Sequence, residues 1–440
     1  MDTFECPFSL YRRKTPKHLA LISESKIWTY EECEKLIQGS ISFLKKEGIK
    51  AGDPVAILPT KDFRTPLLFF ALFRLGAIAC PINTYHPLDT LSQKLDKLKT
   101  SCLLYPDETI LPRVKQNTLP FSRIIQEGRE SGQTFLEKNN RATYLFTSGT
   151  TADPKIACHS LGNHYYSALG SNSYMPISAG DRYFLSLPLY HIAGIALLFR
   201  TFLAGGTVAL SDEVPGITHL SLIPTQLQRM LKEKKLPTYK HILLGGAQIS
   251  PALIFEGRKR GLPLHPTYGM TEMSSQITTL FDPSYFSLGH PLPFREIKLG
   301  GDGEILVKGK TLFQGYLKED HLLDLPINEE GYFPTKDLGT YSPKTGLQLL
   351  GRKDRLFISG GENIHPEEIE KLLKNIEGII RAKVVPIPDE EFGYRPTAYI
   401  ESEKSYRDEE LKEYLSALLP KFKIPVKFFD ATDIPRTHKE

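Results

Sequence analysis

The chain has 440 residues, enough for two or three domains at about 150 residues each. Lys and Arg total 55 against 51 for Asp and Glu, so the formal net charge is only +4, with 40% hydrophobic and 24% charged residues. That balance excludes a disordered chain and gives no electrostatic footprint for nucleic acid or an anionic membrane.

The N-terminus, MDTFECPFSLYRRK, has no basic stretch leading into an apolar one, so no secretory leader is expected. Thr29 followed by Glu32 reads as a capping box; Leu36, Ile37, Ile41 and Leu44 then recur at helical spacing, with Gly48 as a stop. The runs Val55–Leu58, Tyr144–Phe146, Tyr183–Leu187, Thr207–Leu210, His219–Ile223 and His241–Leu244 read as strands. Amphipathic segments separate them, which predicts α/β layers. The longest apolar stretches, Leu67–Phe73 and Ile192–Phe199, are closed by Arg74 and Arg200. Both fall well short of the ~20 residues that a membrane span needs. The five cysteines at 6, 33, 80, 102 and 158 are widely spaced, with no Cys-x-x-Cys. Reduced thiols in a cytoplasm are expected, not a disulfide framework or a zinc site.

Around Gly300-Gly301-Asp302-Gly303 the texture changes, and Glu304–Val307 and Leu347–Leu350 read as antiparallel strands. Beyond Gly351, Pro366 suits the first position of a helix with Ile369, Leu372, Leu373 and Ile376 on one face. Strands at Ala382–Val385 and Ala398–Ile400 follow, then a helix Leu411–Leu419 that Ser405 and Asp408 can cap. The predicted fold is α/β: a large multi-layer domain over residues 1–350, built of α/β subdomains and a β-rich subdomain, and a small mobile α+β domain over 351–440.

Several loops carry candidate chemistry. Thr147-Ser148-Gly149-Thr150-Thr151-Ala152-Asp153-Pro154-Lys155 combines hydroxyls, a glycine and a lysine directly after a strand-like run. Such a loop can cradle phosphate oxygens, although it lacks the Gly-Lys-Ser/Thr ending of a Walker loop; a Ser/Thr-rich surface turn is the plain alternative. In Tyr268-Gly269-Met270-Thr271-Glu272, Thr271 can bond a phosphate oxygen and Glu272 can hold Mg²⁺. Gly245-Gly246-Ala247, at the end of a strand, leaves room for a flat base. Asp337 can accept both ribose hydroxyls. Gly360-Gly361, ahead of a helix, suggests a hinge or a close ligand approach. His191, beside an apolar run, is by itself more often a hydrogen-bonded core residue than a catalyst.

Taken together and in this order, the loops resemble the acyl-adenylate-forming superfamily of acyl-CoA synthetases, adenylation domains and luciferases, from about Leu19 to the C-terminus. The specific pieces are TSGTTADPK, YGMTE, GYFPTKD and GRKDRLFISGGENIHPEEIE. On PLYHIAG, THLSLIPTQLQRML, LLGGA and YGMTEMSSQITTL, the chain is most similar to CoA ligases of an aromatic acid that carries a second carboxylate. Other aryl- or fatty-acyl-CoA ligases, or a nucleotide-binding relative impaired in adenylation, are the alternatives.

The resemblance implies ATP, Mg²⁺ and coenzyme A as cofactor and co-substrates, a small carboxylate as substrate, and two steps. It implies that Thr147, Ser148, Gly149, Thr150, Thr151 and Lys155 hold the β- and γ-phosphates, and that Gly245, Gly246, Ala247, Tyr268 and Gly269 frame adenine. Thr271 would touch the α-phosphate and Glu272 ligate the metal; Asp337 and Arg352 would grip the ribose. His191, Thr225, Ser274, Ser275 and Gln276 would line the acyl pocket. Asp354 matches the hinge, and Gly360 and Gly361 fall in the loop of the thiol tunnel. No Arg or Lys can be assigned to the second carboxylate. No nucleic-acid partner is implied, and self-association is left open.

Three positions depart from the pattern. Ala152 replaces a usual glycine, and Lys336 replaces the common glycine before Asp337. The family's adenylation lysine lies in Pro-Arg-Thr-x-x-Gly-Lys, whereas here Pro435-Arg436-Thr437 is followed by His438, Lys439 and Glu440. Lys439 comes two residues early as a stand-in. A truncated end, with weak adenylation and surviving thioester formation, is the expectation.

Overall fold

A computed structural model of the chain, which describes residues 2–84, 90–128, 134–147, 154–319 and 322–434, builds most of it around two large sheets. The first has eight strands in the order Leu323–Asp324, Gly315–Leu317, Ile156–Ser160, Arg141–Phe146, Ile78–Pro81, Pro54–Ile57, Cys102–Tyr105 and Asn117–Pro120. From Arg141–Phe146 onward its strands are parallel, and the three at the other edge are antiparallel. The second has nine strands: His290–Pro291, Ser275–Thr279, Leu264–Met270, His241–Leu244, His219–Leu222, Arg182–Phe184, Thr207–Ala209, Leu19–Ile22 and Ile27–Thr29. Its middle is parallel and buried along most of its length, as continuous apolar runs require.

The helices between the sheets explain the two longest apolar stretches. Arg64–Leu75 and Ile192–Leu203 are buried on nearly every face, so neither shows a polar stripe. Phe70 meets Phe199 and Phe202 with ring centroids 5.5 Å apart, which locks the two helices together. The capping box forms as expected: the Thr29 side chain accepts the Glu32 N–H, and the Glu32 carboxylate accepts the Thr29 N–H at 2.8 Å. The helix Tyr30–Lys46 then buries Cys33, Ile37, Ile41 and Leu44.

A third, antiparallel sheet runs Arg295–Leu299, Glu304–Gly309, Phe333–Ser342, Gly346–Arg352. The two strands expected here are not neighbours, because Phe333–Ser342, which carries Asp337, lies between them. Beyond it a separate core gathers Phe357, Ile364, Ile369, Leu373, Val384, Ala398, Leu411 and Leu415. This small C-terminal part holds a three-stranded sheet of Ile379–Asp389, Gly393–Ser402 and Phe428–Asp430. The last helix is Asp408–Ser416, not Leu411–Leu419. Neither Ser405 nor Asp408 is its cap. Arg407 holds that position, because the Glu410 carboxylate reaches back to the Arg407 N–H at 3.2 Å and starts the helix a turn early.

Among the described residues, no helix is long and apolar enough to cross a membrane. All five cysteines are buried and unpaired.

Candidate active site

Three candidate loops follow the carboxyl ends of strands in the large sheets, at Thr147, Gly245 and Thr271, where α/β sheets expose backbone N–H groups and short connections. Strands Arg141–Phe146 and Ile156–Ser160 pair antiparallel, with Phe146 opposite Ile156. The Thr147 N–H donates to the Lys155 carbonyl at 2.8 Å and closes the base of the loop. Ser148, Gly149, Thr150, Thr151 and Ala152 lie outside the described residues, as does Lys439.

Lys155 is exposed, and its Nζ sits 4.6 Å from the centre of the Tyr316 ring. Tyr316 is placed by register: its strand Gly315–Leu317 pairs with Ile156–Ser160, Tyr316 opposite Ala157. The Tyr316 hydroxyl donates to Glu272 Oε1 at 2.6 Å. Burial and the neighbouring carboxylate push that phenol well above its ordinary pKa, so it stays a donor. One tyrosine thus links the lysine of the phosphate loop to the candidate metal ligand. Glu272 is buried, while its Oε2 has no bonded partner among the described residues. A buried carboxylate with one oxygen fixed and one open suits a hard cation such as Mg²⁺.

Thr271–Met273 is a 3₁₀ turn directly after the strand Leu264–Met270. It leads into Ser274 and Ser275, both with left-handed backbone, at φ 54° and 102°. Non-glycine residues hold such angles only where neighbours over-determine them. Here Ser274 Oγ donates to the Thr311 carbonyl at 2.9 Å, and Ser275 Oγ accepts from Arg200 Nη2 at 3.0 Å. Gln276 Nε2 donates to Thr279 Oγ1, while its buried Oε1 has no protein partner. Gly269 is needed at close quarters, since a Cβ there would lie 2.1 Å from the Ser275 carbonyl oxygen.

The shelf Gly245-Gly246-Ala247 follows the strand His241–Leu244, and Gly246 and Ala247 are exposed. Gly246 adopts φ +80°. Tyr268 is buried, and its hydroxyl donates to Asp337 Oδ2 at 2.6 Å. Register sets Asp337 opposite Arg352, whose Nη1 lies 3.1 Å from Asp337 Oδ1. Burial pushes the Asp337 carboxyl up, and the Tyr268 and Arg352 donors oppose that rise. Arg352 also pairs with Asp354 at 2.8 Å, which holds Asp354 below the usual carboxylate range. Tyr268, the ribose candidates and the hinge candidate are therefore one connected patch.

His191 and Thr225 are exposed at the starts of the helices Ile192–Leu203 and Pro224–Met230. His191 is not a core residue: it is the N-cap, and its ring lies 4.5 Å from that of Tyr190. Gly360 and Gly361 form the two-residue turn of the hairpin Phe357–Ser359/Glu362–Ile364, both at positive φ. Gly360 packs against Phe392, which belongs to the small part.

Sequence reasoning used Arg200 only as the end of an apolar run. In the structure it is a buried cation. It reaches Ser275, and among the described residues its Nε has no partner and no carboxylate bonds it. Burial pushes its pKa down, and the neighbouring Tyr183 opposes that shift only in part. A basic residue inside an otherwise largely apolar, buried helix was the available signal, since arginine is almost never fully buried unless paired. Arg295, equally buried, is different: carbonyls of Gln276, Pro293 and Ser167 take up its donors.

Known proteins resemble the chain over most of its length. The model of the family described as AMP-binding enzyme matches residues 9–317. The chain is 34% identical to the 2-succinylbenzoate–CoA ligase of Salmonella typhimurium, over 87% of this chain and 84% of that one. It superposes on o-succinylbenzoate–CoA synthetase from Bacillus subtilis in complex with the acyl-adenylate intermediate OSB-AMP, with TM-score 0.90 and 30% identity, covering 99% of this chain and 96% of that one. The same enzyme in complex with ATP and magnesium ion gives TM-score 0.88 at 30% identity, covering 99% and 97%.

Proposed function

The chain belongs to the AMP-binding enzyme family and is an AMP-forming acid–CoA ligase, and on that premise we propose that its acid is 2-succinylbenzoate, activated for menaquinone biosynthesis. The observation that carries the substrate is Arg200. An aromatic monocarboxylate or a fatty acid has nothing to offer a buried guanidinium, whereas a dicarboxylic acid keeps one carboxylate after the other has reacted. The second carboxylate would pair with Arg200 beside Ser275, inside a low-dielectric pocket where such a pair is strong.

In the first step a carboxylate oxygen of the acid attacks the α-phosphorus of ATP and pyrophosphate leaves. In the second the thiol sulfur of coenzyme A attacks the acyl carbon and AMP leaves. Mg²⁺ would be held by Glu272 and would neutralise phosphate charge as it builds. Thr271 hydrogen-bonds the α-phosphate, and Thr147, the loop after it and Lys155 take the outer phosphates. Gly245, Gly246, Ala247 and Tyr268 frame adenine. Asp337 and Arg352, already aligned on each other, receive the ribose hydroxyls. This is catalysis by position and fixed charge. His191 and Thr225 close the mouth of the acyl pocket. The small domain begins near residue 351, turns about Asp354 between the steps, and brings Gly360 and Gly361 to the thiol; Lys439 is the candidate adenylation lysine. A cytoplasmic setting fits five buried free thiols.

The test is thioester formation with 2-succinylbenzoate, benzoate and octanoate under ATP and coenzyme A. Product from 2-succinylbenzoate alone supports the assignment. Faster turnover of octanoate or benzoate replaces it with another acyl-CoA ligase.

A further inference from the structure

One buried side chain ties the backbone of Thr271 to the opposite wall of the nucleotide cleft and has no part in the two-step reaction as assigned. His159 lies on the strand Ile156–Ser160, just after the loop that ends at Lys155, and is fully buried. Its Nε2 is 2.7 Å from the Thr271 carbonyl oxygen. A carbonyl only accepts, so Nε2 carries the proton and Nδ1 is an acceptor. Nδ1 faces the Thr143 hydroxyl at 3.4 Å, and that hydroxyl is 2.9 Å from His164 Nε2. His164 Nδ1 has no partner among the described residues.

Two proton arrangements fit these distances. If Thr143 donates to His164, then His164 buries an unpaired N–H and His159 Nδ1 receives nothing. If His164 donates to Thr143 and Thr143 donates to His159, only a bare ring lone pair is left over. A buried orphan donor is the costlier fault, so the second arrangement holds. The chain runs from His164 through Thr143 and His159 to Thr271, each bond polarising the next. The Thr271 carbonyl also accepts the Ser274 N–H at 3.0 Å, at the start of the two left-handed serines, so the same oxygen anchors both the relay and the turn. A turn with that backbone keeps its place only while its neighbours hold it.

We propose that His159 is a positioning residue for acyl-adenylate formation: through the Thr271 carbonyl it aims Thr271 and Glu272 at the α-phosphate and its metal, and it couples that turn to the strand leaving the phosphate loop. The inference rests on the proposed reading of this cleft as an ATP site.

His159→Gln keeps an N–H near the Nε2 position; His159→Leu keeps only bulk; Thr143→Val removes the donor to Nδ1. Each is compared with the wild-type chain for Mg·ATP binding by calorimetry and for acyl-AMP formation from 2-succinylbenzoate, with melting curves to match folded fractions. His159→Leu is expected to weaken Mg·ATP binding and to lower kcat for acyl-AMP formation, each by about tenfold, with KM for the acid within about twofold. His159→Gln stays within about threefold of wild type, and Thr143→Val falls between the two. A leucine variant equal to wild type overturns the proposal, as does a glutamine variant as impaired as leucine at the same folded fraction. Wild-type chain that neither binds Mg·ATP nor forms adenylate overturns the site reading instead, a result seen before any substitution is made. If wild type binds without turnover, the binding series alone decides.

Discussion

The two ends of the nine-stranded sheet carry opposite chemistry on the same strands. At the carboxyl ends stand Gly245, Gly246 and Ala247, then Thr271 and Glu272 on a turn that continues through two left-handed serines. At the amino ends three imidazoles meet at a tilt across adjacent strands: His219 to His241 at 5.3 Å between ring centres, and His241 to His265 at 5.1 Å. That ladder is internally bonded. His241 Nδ1 meets His265 Nε2 at 3.0 Å, Thr218 Oγ1 meets His219 Nδ1 at 2.8 Å, and Lys240 beside it pairs with Asp181 at 2.6 Å. A concentration of titratable groups is therefore not what marks the site. The marks are open glycines, left-handed backbone, and a buried guanidinium, Arg200, that no carboxylate bonds among the described residues. The amino end is bonded largely within itself, with His219 Nε2 left without a partner among the described residues; the carboxyl end leaves a buried guanidinium and an open shelf free for a ligand.

The sharpest way to break this contrast is Glu272→Gln. It keeps the shape and an acceptor for Tyr316, and removes the charge. Acyl-AMP formation should fall by about 10²–10³-fold, on the order of 3–4 kcal/mol, with little change in a thermal melt. A comparable loss of stability would make Glu272 a structural residue.

Arg200→Met comes next. KM for 2-succinylbenzoate should rise about 30-fold, roughly 2 kcal/mol, while any residual turnover of benzoate is unaffected. Stability should hold or increase, because an unpaired buried cation is removed. Equal losses for both acids would remove Arg200 from the acyl pocket.

The amino end should weaken in acid. Burial pushes the His219 pKa down to about 4, against an unfolded value of about 6.5. Between those values the unfolded chain binds a proton that the folded chain refuses, so stability is full above pH 6.5 and falls as pH drops. From pH 7.5 to 5 His219 alone should remove about 2 kcal/mol. His219→Phe should flatten that slope in urea melts at the two pH values; an unchanged slope would show that the ring is already charged in the fold.

The smallest effect belongs to Lys336. It sits at φ 62°, and its N–H donates to Glu304 Oε1 at 2.9 Å. A left-handed lysine costs about 1 kcal/mol relative to glycine, so Lys336→Gly should stabilise the chain by that amount. KM for ATP decides whether the ammonium also reaches a phosphate: unchanged if the side chain is only solvated.

The range of each contact decides how much of it the sequence could reveal. The capping box at Thr29 and Glu32 is local and forms as expected. The glycine-like backbone at Lys336 was visible as a departure from the motif, because it concerns a single residue. Arg200 and Ser275 are 75 positions apart, and Tyr316 and Glu272 are 44 apart, so nothing in local pattern joins them. They meet because the helix Ile192–Leu203 is threaded between the sheets, and because Gly315–Leu317 pairs with Ile156–Ser160. The relay of Thr143, His159 and His164 flanks the phosphate loop in sequence, yet its target at Thr271 lies 112 positions beyond His159. The motifs named the chemistry; long-range packing chose the residues that aim it.

The most direct measurement is ATP–pyrophosphate exchange by the wild-type chain with 2-succinylbenzoate, benzoate and octanoate as the acid. The account predicts exchange that requires Mg²⁺ and 2-succinylbenzoate and saturates with it, with little from the other two. Exchange with octanoate or benzoate equal to that with 2-succinylbenzoate would contradict it.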